Sequence, residues 1–177
     1  SAAFHESVYA MMYNIWKGRE TRIGDFLFES TNLKNKGGFF KTPCGWHSDR
    51  ITSFIMASVS GVVNVPQPGF LFRLNSEAIT SNTKFSVEKV EAWKEIYLWY
   101  DKFLGEYPTN DTDLYYYLCL KQNIKHFIGL RKLGDILRDI EASKLRYFYW
   151  LKNKKKYELS KNDILTLTNC FLRSFLA

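Results

Sequence analysis

From about residue 83 the apolar residues of this chain recur three and four apart almost to its end. That spacing admits little besides helix. Val90, Trp93, Tyr97, Tyr100 and Leu104 form one stripe, which Gly105 and Pro108 end. Leu114, Tyr117, Leu118, Ile124 and Phe127 mark a second helix, and Leu133, Ile136, Leu137 and Ile140 mark a third. Ser160-Lys161-Asn162-Asp163 has the form of a capping box with Asp in the place of Glu. It opens a last helix along Ile164, Leu167, Phe171 and Phe175. Residues 83–177 are therefore expected to be wholly helical.

The part before residue 83 is mixed. Residues 4–17 read as a helix, with Phe4, Val8, Met11 or Met12 and Ile15 at helical spacing and Gly18 as the stop. Asp25 to Ser30 reads as a short buried strand, followed by a loop through Gly37-Gly38. Asp49 to Ser60 reads as a helix with Ser48 as its N-cap, Ile51, Phe54, Ile55 and Val59 as its apolar face and Gly61 at its close. GVVNV reads as a strand, and PQPGFLFRLN as a turn and a further strand. The expected class is α+β, predominantly helical: a few short strands within 1–82, then a helical extension over 83–177.

Hydrophobic residues make up 46% of the chain, enough for a packed core, so a disordered chain is excluded. The net charge of +7 is uneven, with seventeen Lys/Arg against twelve Asp/Glu in residues 81–177. A basic half suits an anionic partner: a lipid surface, a phosphorylated substrate or a nucleic acid. Cys44, Cys119 and Cys170 are odd in number and far apart, with no zinc or redox spacing. No apolar run reaches the length of a spanning helix, and the start does not read as a signal peptide. The expectation is a soluble or peripheral protein of the reducing cytoplasm.

The densest chemistry lies in Gly37 to Phe54, where Trp46, His47, Ser48 and Asp49 meet at the mouth of a helix. A carboxylate there sits in the positive end of the helix dipole, which favours its charged form. It could serve as a general base for a hydroxyl within hydrogen-bond reach. Trp46 could stack on a sugar ring, and His47 could donate to a hydroxyl or phosphate. The competing reading is plain: Ser48-Asp49 caps a helix and Trp46 packs on its loop.

The order of these elements resembles the C-terminal half of a bacterial family 2 glycosyltransferase of the GT-A fold, of the kind that builds lipopolysaccharide or capsular glycans. The matching elements are Gly37-Gly38-Phe39, Trp46-x-Ser48-Asp49 and Phe72-Arg73, over about residues 4–82. The resemblance implies an inverting transferase in surface polysaccharide synthesis. It moves a sugar from a nucleotide sugar to a glycan or polyprenyl-linked acceptor. Asp49 matches the general base; Trp46, His47, Ser48, Gly37 and Gly38 would shape the acceptor site; Arg73 would stabilise the leaving diphosphate. Two positions depart from the pattern. Arg50 stands where a second Asp is common, and Asn75 stands near the place of a common His.

The family's nucleotide-binding half, with its DxD motif for Mg²⁺ or Mn²⁺, is not found in residues 1–177. The chain is thus expected to be the acceptor-side portion of a larger enzyme, inactive alone and binding no cofactor itself. Asp111-Thr112-Asp113 imitates the missing motif, but it directly precedes an apolar helix and suits a helix N-terminus. Leu145 to Tyr157, LRYFYWLKNKKKY, admits two readings. One is peripheral contact with an anionic membrane at its inner face; the other is a helix with a buried aromatic face and a solvated lysine end. Nucleic acid is disfavoured, because no RRM, KH or zinc-finger signature is present. His5 and His126 have no partner at ligand spacing. The alternative to the enzyme is a non-enzymatic helical interaction or membrane-docking module with a basic aromatic face.

Overall fold

The computed structural model describes residues 4–65, 79 and 82–174. Among these residues the protein is predominantly helical, with two short strands. In chain order the elements are β1 (Phe4–Glu6), α1 (Val8–Trp16), α2 (Ser30–Asn35), α3 (Ser48–Ser60), β2 (Val62–Asn64), α4 (Ser86–Phe103), α5 (Asp111–Ala142), α6 (Arg146–Lys152) and α7 (Lys161–Arg173). The GT-A architecture implied by the resemblance is not reproduced in these elements.

The first surprise is at the start. Phe4–Glu6 do not join the helix that follows; they pair antiparallel with β2, Phe4 opposite Asn64 and Glu6 opposite Val62. Ser7 then starts α1, accepting from the Ala10 N–H at 3.2 Å while its hydroxyl donates to Asp113 at the start of α5. Glu6 explains why the strand holds. It is buried, yet both its oxygens are taken: Arg19 donates to them at 2.5 and 2.8 Å, Asn14 at 2.6 Å and Asn64 at 3.2 Å. Burial works to raise its pKa, but these bonds and the Arg19 charge prevail and hold it below the usual value.

Asp25–Ser30 is not a strand. Ile23–Asp25 form a single 3₁₀ turn, Phe26 and Phe28 stack on each other at 5.9 Å, and Ser30 already belongs to α2. Among the described residues this segment has no partner strand, so its backbone has no ladder to join. The expected strand over 70–75, with Arg73, lies outside the described residues, as does Phe175.

The second half is helical, as its periodicity requires, with one difference. The two helices expected over 114–140 are one helix of 32 residues, α5. Its buried stripe runs Tyr117, Leu120, Ile124 and Ile128 and resumes at Ile136 and Ile140, while the helix itself continues unbroken. Gly129 and Gly134 lie inside the helix and are tolerated there. What changes along α5 is the partner. Its first part packs with α1, α3 and α4 in one core, around Met12, Ile51, Phe54, Trp93 and Tyr100. Its second part packs with α6, α7 and Val90 in another, around Trp150 and Leu167. The first core draws on residues from both sides of position 82, so packing bridges the boundary expected there.

Two aspartates on α5 tie these cores together. Asp135 accepts from the Trp93 indole at 2.7 Å and from Arg138. Asp139 accepts from the Trp150 indole at 2.8 Å and from Arg146 at 2.7 Å. Both carboxylates are buried, and each is neutralised by an arginine on its outer side.

Three of the five aromatic rings in the basic stretch enter the core. Tyr147, Trp150 and Tyr157 are buried, while Phe148 and Leu145 face outward. Asp111 and Asp113 lie in the first turn of α5, where Asn110 caps the Asp113 N–H at 2.8 Å. No helix among the described residues is long and apolar enough to cross a membrane. The three cysteines are free thiols.

Candidate functional site

The turn that delivers α3 is built from unusual backbone. Within four residues, Cys44 (φ 47°), Gly45 (φ 70°) and His47 (φ 55°) all adopt left-handed conformations. For Cys44 and His47 this costs on the order of 1–2 kcal/mol each. Neighbouring bonds enforce it. The Gly45 N–H reaches Thr42 O at 3.0 Å, the Trp46 N–H reaches Pro43 O at 3.1 Å, and the Thr42 hydroxyl donates to Trp46 O at 2.9 Å. The preceding segment is pinned to the helix as well. The Phe40 N–H donates to Thr52 Oγ1 at 2.9 Å, and the Ser48 hydroxyl donates back to Phe40 O.

These bonds reassign Ser48. It is the first residue of α3, not its cap, because its hydroxyl is spent on Phe40. The N-cap is His47, which offers no side-chain bond to the first turn. Among the described residues the N–H groups of Ser48, Asp49 and Arg50 therefore have no acceptor.

His47 lies between two indoles, 4.7 Å from Trp46 and 4.8 Å from Trp93 by ring centroids. Burial, then the positive charges of Arg50, Arg131 and Arg138, hold its pKa well below the usual value. Trp46 is turned into the first core, and Lys89 lies over its ring at 4.7 Å. Its indole N–H is the buried side-chain donor left without an acceptor among the described residues. A ring so placed supports the packing half of the sequence reading for Trp46.

Asp49 is half-buried in the first turn of α3 and makes no hydrogen bond or ion pair among the described residues. Gly37 and Gly38 end α2, their N–H groups returning to Lys34 O at 3.0 Å and Leu33 O at 2.9 Å with φ of 87° and 80°. Arg73 lies outside the described residues. Thus Trp46, His47, Ser48 and Asp49 are one constellation, and Gly37-Gly38 serve the neighbouring helix end.

Sequence reasoning passed over Arg50 and Arg131. Arg50 follows Asp49 on α3, and burial lowers its pKa, with the Arg131 and Arg22 charges adding to the fall. Neither Arg50 nor Arg131 has a hydrogen bond or ion pair among the described residues. The only hint in the sequence is Arg50 itself, at the place where the resemblance leads one to expect a second Asp.

Two hollows are found elsewhere. One of about 530 Å³ lies between α5 and α7, beside Glu141, Cys170 and Arg173. Another of about 330 Å³ lies between β1, the end of α3 and the segment 107–113. Neither is lined by Asp49. Among the described residues no group of His, Cys, Asp or Glu is placed to hold a metal ion.

In comparisons with known proteins, no family model, no curated protein and no solved structure matches the chain.

Proposed function

We propose that the protein is the acceptor-side portion of an inverting glycosyltransferase that uses a nucleotide sugar, with Asp49 as its general base. One observation carries the reading. Asp49 presents a half-exposed carboxylate with no partner among the described residues, at the positive end of a 13-residue helix. A structural cap would be engaged with the backbone N–H groups beside it, and this one is not. In the proposed reaction an acceptor hydroxyl gives its proton to Asp49 as its oxygen attacks the anomeric carbon. The bond from that carbon to the nucleotide diphosphate breaks, and the configuration inverts. Asp113 is held by Ser7 and Asn110 at the start of α5, so Asp111-Thr112-Asp113 does not offer the pair of free carboxylates that the divalent metal of such enzymes would need.

The acceptor is a glycan or a lipid-linked glycan, and the setting is surface polysaccharide synthesis at the inner face of a membrane. Membrane docking as the sole function draws less support, since three rings of the basic aromatic stretch are interior.

The test is transfer by the natural full-length protein carrying Asp49→Asn. Loss of a general base lowers turnover by about 10²–10⁴-fold. Donor binding, followed by calorimetry, should not change. Turnover within about threefold of the parent would reject the role, because a base contributes far more than that.

A further inference from the structure

Four carboxylates are buried among the described residues, and three of them carry an arginine: Glu6 has Arg19, Asp135 has Arg138 and Asp139 has Arg146. Asp113 is the exception. It is 7% exposed and makes no ion pair among the described residues. Its oxygens are held by neutral donors alone, the Ser7 hydroxyl on one and the Asn110 amide at 2.8 Å on the other. A buried carboxylate without a cation is costly. Asp113 differs from the other three in place as well, because it lines the hollow of about 330 Å³ between β1, the end of α3 and the segment 107–113.

The rest of the wall is arranged for positive charge. Among the described residues that line it there is no lysine or arginine. Tyr9 and Tyr107 do line it, and both rings rest on Tyr117, with centroids 6.1 and 4.9 Å away. The His5 ring closes against the end of α3, where Nε2 donates to Ser60 O at 2.7 Å; a Cβ at Gly61 would lie 2.5 Å from that ring. Two helix ends meet the hollow. The start of α5 contributes about half a positive charge and the end of α3 about half a negative one. With Asp113 the sum is roughly one negative charge.

We propose that this hollow binds a small organic cation, an alkylammonium ion of single charge, with Asp113 as its counter-ion. Each Asp113 oxygen accepts one bond and keeps a lone pair for the ligand. Tyrosine rings attract an ammonium ion through their π faces. The volume lies at the low end for ligand pockets and suits a molecule of few atoms. A metal ion fits less well: Asp113 is the single carboxylate among the described lining residues, and hard cations demand several charged or carbonyl oxygens. The site does not depend on the transferase reading, and it gives α5 a part in ligand recognition.

Calorimetric titration at pH 8 and constant ionic strength tests it, with tetramethylammonium and ethylammonium as ligands and tert-butanol as the neutral control of similar size. Saturable binding of either cation, tighter than that of the alcohol, is expected. Comparing the two cations tells whether the site takes a methylated or a hydrogen-bonding ammonium. Asp113→Asn should weaken binding by about tenfold or more. Tyr107→Leu should weaken it by about two- to fivefold. Tyr107 is exposed, so its variant keeps the test intact should Asp113→Asn fail to fold. Glu141→Gln, an exposed carboxylate about 40 Å further along α5, should leave it unchanged. Four results would each overturn the proposal: no saturation below about 10 mM, tert-butanol binding as tightly as the cations, undiminished binding in the folded variants of the hollow, or an equal loss in Glu141→Gln. Transfer plays no part in this titration, so its failure leaves the Asp49 reading standing, and the converse holds.

Discussion

His47 is a histidine whose charged form the fold disfavours. Its ring is enclosed by two indoles, and three arginine charges act on it. In the unfolded chain the same imidazole titrates near the ordinary histidine value of 6.5. Folded, it titrates well below that, chiefly because burial penalises the charged form. Between the two values the unfolded chain binds a proton that the folded chain refuses. Stability conferred by His47 is therefore full above pH 6.5 and is lost as pH falls through the window beneath it. The loss approaches about 1.4 kcal/mol per pH unit for one such proton. Glu6 and Glu29 are the carboxyls with depressed values, and their windows open at 4.5, below that of His47. Urea unfolding followed by tryptophan fluorescence, from about pH 7.5 down to about pH 5.5, isolates the effect. Asn tolerates the left-handed backbone at this position, so His47→Asn is the reference. The parent should lose stability over this range more steeply than the variant. Parallel pH profiles would refute the reasoning, because they would mean that the ring takes up its proton equally well in both states.

Two further substitutions probe what frames the site. Asp139→Ala strands the buried Trp150 indole and leaves Arg146 without its carboxylate. Arg146 is a third exposed, so the ion pair adds little and the orphaned indole dominates; about 2–3 kcal/mol of stability should be lost in chemical denaturation. Asp139→Asn, which keeps an acceptor, should lose less. Gly61→Ala would place a methyl group 2.6 Å from the Glu6 carbonyl at a φ of 76°. It should destabilise by about 1–3 kcal/mol in thermal melts, and a neutral result would mean that β1 and β2 do not approach as described.

Much of the architecture was legible because local rules and burial agree there. The stripe along Val90, Trp93 and Tyr100 is buried in α4, and Ser160 and Asp163 close a reciprocal capping box at α7. Disagreements arose where a distant segment supplied the deciding interaction. Phe4–Glu6 have helical spacing, yet β2 and the Arg19 clasp on Glu6 draw them into a strand. Ser48 has the chemistry of a cap, yet the Phe40 carbonyl takes its hydroxyl. The split expected within α5 failed for another reason: a helix can exchange one core for another without breaking.

Residue order alone determined that the chain is largely helical, that α3 opens at Ser48-Asp49 and that a basic excess lies toward the C-terminus. These follow from side-chain period, cap chemistry and charge, all of which act within a few residues. Only the tertiary structure decided that Trp46 turns inward, that His47 is held between two indoles and that Asp135 takes the Trp93 indole N–H. His47 and Trp93 are 46 residues apart in the chain, and their rings meet at 4.8 Å. Nothing local relates them; the packing of the turn before α3 against α4 does.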